Sequence, residues 1–150
     1  MPSIVLVLRL IAFSVASETR APATQIDWSD FFSRVTATGV EYSDRLKSLE
    51  GKRVRLRGYS IPSPQIPGGL LLSRDAFASS DAEETEIPFD VVGVTWRTGI
   101  SLPPVPVRPT VEGTLRLGNT PMGDQIVCVA LADATPVFPA KAKKARARGR

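Results

Sequence analysis

At 150 residues the chain is long enough to bury one hydrophobic core and short for two. With 43% hydrophobic and 23% charged residues it is not globally disordered, and thirteen prolines with eleven glycines favour many turns over long helices. It has no histidine, which removes the usual neutral-pH acid/base catalyst and any Ser-His-Asp triad; its single cysteine cannot form an internal disulfide or, without histidine, an ordinary zinc site.

The net charge of +4 is unevenly placed. Lys141, Lys143, Lys144, Arg146, Arg148 and Arg150 account for six of the nineteen basic residues, leaving thirteen positive against fifteen negative residues before them. A mildly acidic body therefore carries a strongly basic end, and the two have separate functional readings.

Residues 4–16, IVLVLRLIAFSVA, form an apolar run ending in the small-x-small pattern Ser14-Val15-Ala16. This predicts a secretory signal over 1–16 and a periplasmic or secreted protein, with a buried segment as the alternative; Arg9 and the lack of an earlier basic residue count against export. The run is too short to span a membrane, so no transmembrane helix is expected in the mature chain. Residues 17–26 read as a linker. From Asp27, the spacing of Trp28, Phe31, Phe32 and Val35 predicts a short amphipathic helix ending at Gly39. A second helical turn follows, capped by Ser43, with Leu46 and Leu49 inward and Gly51 past its end.

The segment Gly51–Pro62, GKRVRLRGYSIP, predicts a strand with two faces. Lys52, Val54, Leu56 and Gly58 share one parity, and Arg53, Arg55, Arg57 and Tyr59 the other, so an apolar side is backed by a basic one. After a Pro-rich loop, Leu70–Ser73 reads as a second strand. The carboxylates Asp81, Glu83, Glu84 and Glu86 lie in a polar stretch without the ligand alternation or central glycine of a calcium loop, which favours a solvated loop. Pro88–Trp96 predicts a central strand, followed by a Pro-rich connection that either lies over the fold or serves as a polyproline ligand. Thr110–Leu117 alternates, with Val111, Gly113, Leu115 and Leu117 inward; GNTPMGD reads as its turn and Gln125–Ala132 as the returning strand of a hairpin.

Five extended runs with one or two short N-terminal helices predict a mainly β fold, a small five-stranded OB-like Greek-key barrel over residues 27–139 with a basic tail over 140–150. The chain also resembles an uncharacterised group of exported bacterial OB-like domains. Ile26, Trp28 and Phe31, then Leu49, Gly51, Lys52, Val54, Leu56, Gly58, Tyr59 and Pro62, and finally Val111, Gly113 and Leu115 carry the resemblance. These residues set a fold rather than a chemistry. Where that group commonly has a Cys- and His-bearing segment, this chain has SRDAFASSDAEETEIPFD, so the metal or redox chemistry the resemblance would imply has no residues here.

The candidate ligand-binding residues are Arg53, Arg55, Arg57 and Tyr59, with Trp96 and Phe77 as further aromatic platforms, and the basic end Lys141, Lys143, Lys144, Arg146, Arg148 and Arg150. The competing reading is a solvent-facing strand whose arginines pair with carboxylates across the sheet. The tail reads as a solvated end, a polyanion contact or a membrane-surface contact. Cys128 has no neighbouring cation and reads as an inert, half-buried thiol. Gly68-Gly69 and Gly118–Gly123 lack phosphate-loop spacing, and no cofactor is expected. The expected function is a non-enzymatic, exported OB-like module that binds a protein or polymeric ligand at the cell envelope. The alternative is a single-stranded nucleic-acid-binding OB protein, cytoplasmic if residues 1–16 are retained.

Overall fold

The computed structural model describes residues 21–61, 66–76, 90–99 and 105–139. The expected signal segment, the acidic stretch, Phe77 and the basic tail lie outside them. Among the described residues nine strands form two sheets. They are β1 (Thr24–Gln25), β2 (Phe32–Thr36), β3 (Gly39–Tyr42), β4 (Arg53–Arg57), β5 (Tyr59–Ile61), β6 (Gly69–Ser73), β7 (Val91–Trp96), β8 (Thr110–Met122) and β9 (Gln125–Val137). Seven follow the hydrogen-bond order β1-β4-β8-β9-β7-β6-β5, and β2 pairs with β3 alone. The fold is thus mainly β. None of the described helices is long and apolar enough to cross a membrane.

In that order the large sheet is open, with β1 and β5 at its ends, where five strands were expected. Two local causes raise the count. Gly58 divides the first predicted strand, so that β4 pairs with β8 and β5 with β6. At the N-terminal side, Ile26 is buried and its amide donates to the Arg55 carbonyl, which draws Thr24 and Gln25 into a parallel pair with β4. The end of the expected linker is therefore part of the sheet, because an isoleucine leaving water at the edge of a strand brings its backbone donors into the ladder.

The helix expected from Trp28 to Gly39 is replaced by a 3-10 turn at Trp28–Asp30 and the β2–β3 hairpin. Val35, Thr36 and Val40 are β-branched and favour the extended form, and Thr36 Oγ1 donates to the Gly39 carbonyl across the turn. Phe31 is fully buried and Phe32 stacks 5.8 Å from Tyr42, whereas Val35 is 53% exposed, so the four apolar residues do not share one face. The following helix, α1 (Asp44–Leu49), forms as the sequence predicts. Ser43 Oγ accepts from the Leu46 amide, Leu46 is buried, and Gly51 takes a φ of +77° past the end.

The β8–β9 hairpin is longer than its two predicted runs. Both strands extend through most of the expected turn, and only Gly123 and Asp124 close it, Gly123 at a φ of +62°. The main core gathers Val54 and Leu56 from β4, Leu72, Val92 and Val94 from β6 and β7, Val111 and Leu115 from β8, and Val129 and Leu131 from β9, with Phe31 and Leu46 packed in. A second cluster, Leu71, Val91, Met122, Val127 and Ala130, lies outside it. Gly93 has no side chain there because Met122 and Val127 occupy the space, a Cβ falling 2.7 Å from Met122 Cγ.

Tyr42 ties the small hairpin to the large sheet. Its hydroxyl donates to the Cys128 carbonyl at 2.7 Å and accepts from the Gly118 amide at 2.9 Å, while burial pushes its own ionisation up. Tyr42→Phe strands both backbone groups in a half-buried place. A loss of about 1–2 kcal/mol in urea unfolding is expected; an unchanged midpoint would mean that water replaces the hydroxyl.

Candidate ligand-binding face

Alternation along β4 places Val54 and Leu56 in the core and Arg53, Arg55 and Arg57 on the opposite side, as the sequence predicts. The basic face so formed is not free. Arg55 sits directly across from Glu112 of β8, and Arg53 from Thr114. Glu112 lies between the two arginines, its Oε1 3.4 Å from Arg53 Nη2 and its Oε2 3.1 Å from Arg55 Nη2. The Arg53 side chain is only 13% exposed and Glu112 18%, while Arg55 is 41% exposed. The Nε atoms of Arg53 and Arg55 are buried without a hydrogen-bond partner, so the Nη atoms carry the pairing.

A second acid extends the network. Arg53 Nη1 donates to the Asp133 carbonyl at 2.9 Å and lies 3.5 Å from its carboxylate. Arg97, just beyond β7, grips the same carboxylate with two parallel bonds of 2.9 Å from Nε and Nη2. Asp133 adopts a left-handed φ of +50°, and the Arg97 amide donates to the next carbonyl, Ala134. The irregularity in β7–β9 pairing between Val94 and Trp96 thus marks a clasp between β7, β9 and β4.

The Arg97 hydrogen bonds, with the charges of Arg97 and Arg53 behind them, hold the Asp133 carboxyl below the usual carboxylate range. A lowered folded value means that the clasp contributes above the ordinary carboxylate pKa and is lost as pH falls through the folded value. Asp133→Asn should therefore lower stability by a constant amount at neutral pH, with the difference closing below about pH 4. Urea midpoints of both proteins across that range check it; a difference that persists unchanged in acid would separate the clasp from ionisation.

The remaining candidates divide. Arg57 is exposed and has no carboxylate partner among the described residues. Tyr59 is half-buried, with the Arg108 guanidinium 4.9 Å from its ring centroid. Trp96 is half-buried and packs against the core, which leaves only part of its surface to solvent. Cys128 is half-buried between inward Val127 and Val129, and burial pushes its thiol up, which disfavours a nucleophilic thiolate. Among the described residues no group of three or more Cys, Asp or Glu is placed to hold a metal.

Arg97, Arg108, Glu112 and Asp133 were not among the candidates. Glu112 was legible as an outward residue of an alternating strand, but its partner follows only from the β4–β8 register. Arg97 and Asp133 are 36 positions apart and meet through a parallel pairing with an irregularity, which carries no local signal.

The arrangement defines a mainly β protein whose strand β4 carries two internally paired arginines and one, Arg57, without a carboxylate partner among the described residues. Among solved structures the chain is similar to a DUF3299 family protein from Pseudomonas aeruginosa PAO1, at 14% identity and a TM-score of 0.51, over 80% of this chain and 99% of that one. That likeness concerns the fold alone. No protein-family model matches the chain, and no curated protein does.

Proposed function

We propose that the chain is a non-enzymatic OB-like binding module, exported and acting on a protein or polymeric ligand at the cell envelope. The observation that carries this reading is the continuity of β4 and β5. Only Gly58 separates them, and the single run Arg53–Ile61 is hydrogen-bonded to β8 by its first half and to β6 by its second. One strand therefore connects both ends of the order β4-β8-β9-β7-β6-β5, with β7 and β9 parallel and the other neighbours antiparallel. A small Greek-key barrel of the OB type is built on such a shared first strand, and its surfaces commonly bind polymers.

A binding role is supported further by the state of the polar groups. Without histidine, acid/base chemistry would fall to carboxylates, and Glu112 and Asp133 are committed to arginines. The same pairing weakens the nucleic-acid alternative, since Arg53 and Arg55 already share Glu112 and the half-buried Trp96 packs against the core. Export rests on residues 1–16 of the sequence.

Intact-mass measurement of the protein from its native host tests the reading. Loss of residues 1–16 from an envelope or secreted fraction is the expected result. Retention of Met1 or Pro2, together with salt-sensitive oligonucleotide binding that Arg55→Glu abolishes, would replace it with the nucleic-acid reading.

A further inference from the structure

We infer that Met122 is an oxidation site built into the fold, the latch of a strap formed by residues 119–127, and that converting its thioether to the sulfoxide frees the strap while the rest of the sheet stays closed. The β8–β9 hairpin is two units joined at a hinge. Leu115, Leu117, Val129 and Leu131 pack in or against the main core, whereas Met122 and Val127 belong to the second cluster with Leu71, Val91 and Ala130. Between the two the pairing register shifts, from Leu117 opposite Val129 to Thr120 opposite Val127, and Gly118 takes a φ of +101°. The Tyr42 hydroxyl lies in that break, bonded to the Gly118 amide on one strand and the Cys128 carbonyl on the other. A side chain thus stands where the ladder would otherwise join the strands.

Beyond the break the strap has little to hold it. Of residues 119–127 only Met122 and Val127 are buried, and Ile126 is 65% exposed. A hairpin end with so few buried apolar contacts opens at lower free energy than the whole fold. Met122 anchors the tip. It is 4% exposed, and its Cγ and Sδ fall 2.7 and 3.0 Å from where a Cβ on Gly93 would stand, so it fills a trough that β7 leaves open by having glycine there. Thr95 Oγ1, on an exposed residue of the same strand, donates to the sulfur at 3.9 Å, which puts the thioether one side chain in from solvent.

A hydroperoxide transfers its distal oxygen to the sulfur. An S–O bond forms, the O–O bond breaks, and the proton passes to the remaining oxygen, which leaves as water or an alcohol; the thioether is oxidised by two electrons and the peroxide reduced. The sulfoxide oxygen needs room and a hydrogen-bond donor. The close seat on Gly93 denies the first, and among the described residues the donor at the sulfur is the Thr95 hydroxyl alone, so the oxidised side chain is better solvated outside the trough and takes the strap with it. Cys128, the other sulfur besides Met1, is half-buried with its thiol pushed up, so little thiolate competes for the oxidant.

Hydrogen exchange of the full chain before and after hydrogen peroxide tests the latch, with peptide masses locating the added oxygen. One oxygen on Met122 should speed exchange of the 119–127 amides about tenfold or more and leave those of Arg53–Arg57 unchanged. Met122→Leu, which keeps the apolar fill, should be indifferent to peroxide, and methionine sulfoxide reductase should restore the parent pattern. Tyr42→Phe loosens the hinge and should hasten oxidation, whereas Asp133→Asn, which weakens β9 away from the strap, should not. Oxidation that leaves 119–127 protected, a loss of protection shared by Arg53–Arg57, or equal hastening by Asp133→Asn would overturn the latch. So would resistance of Met122 to peroxide under conditions that oxidise a free methionine peptide. None of these outcomes bears on the ligand-binding reading, which the mass of the native protein tests.

Discussion

Gly58→Ala is expected to destabilise the protein by about 3 kcal/mol, lowering its melting temperature by roughly 10 °C. The position is an unusual place for so small a change to matter, since its φ is not left-handed and a side chain is not excluded by backbone conformation. Space excludes it. A Cβ there would fall 2.8 Å from Trp28 Cζ2, 2.9 Å from the Ser73 carbonyl oxygen and 3.3 Å from Leu72 Cβ. The Trp28 ring cannot swing away cheaply, because its Nε1 donates to the Arg57 carbonyl at 2.8 Å. The Ser73 oxygen belongs to β6, which pairs with β5. Relief must therefore open either the Trp28 contact or the β5–β6 pairing, and both act on the strand through which the proposed barrel closes. Thermal and urea unfolding of Gly58→Ala measures the cost. Near-parent stability would show that β5 can move off β6, and would undercut the shared-strand argument behind the proposed function.

Glu112→Gln is expected to cost about 2 kcal/mol at low salt, between the values typical of exposed and buried pairs. The substitution keeps the shape of the side chain and removes the charge that separates Arg53 from Arg55. Arg53 is the more costly of the two to leave, being 13% exposed against 41% for Arg55. Asp133 still holds it from the other side, which keeps the expected loss below that of an isolated buried pair. Salt should shrink the effect through the exposed Arg55 more than through Arg53. In a double-mutant cycle, Arg53→Met should recover part of the loss in the Glu112→Gln background, because an unpaired guanidinium no longer has to be buried. A loss within a few tenths of a kcal/mol, or no coupling in the cycle, would mean that the network is ornamental to stability, and would return the Arg53/Arg55 face to the list of free ligand contacts.

Together these two changes separate the roles of one strand. Its inward residues hold the sheet together, and its two central arginines are tied to Glu112.

Local pattern was enough for some of this. The alternation of Arg53 to Arg57, the inward set Val111, Gly113 and Leu115, and the Ser43 cap with Leu46 behind it are consequences of period and cap chemistry, which neighbours in sequence specify. The mainly β character follows from the same short-range signals. Aromatic spacing over Trp28–Val35 misled, because the same four residues satisfy a helical period while Val35, Thr36 and Val40 are more stable extended once Tyr42 is there to pair with Phe32.

Tertiary structure alone decided which arginines are available. A strand's parity says that a side chain faces outward and nothing about what stands opposite. The β4–β8 register brings Glu112 between Arg53 and Arg55, and the parallel β7–β9 pairing delivers Arg97 to Asp133. Charge pairing is set by through-space distances of a few ångströms between residues dozens of positions apart, so the sequence determined a basic strand while the fold determined which of its arginines meet a carboxylate.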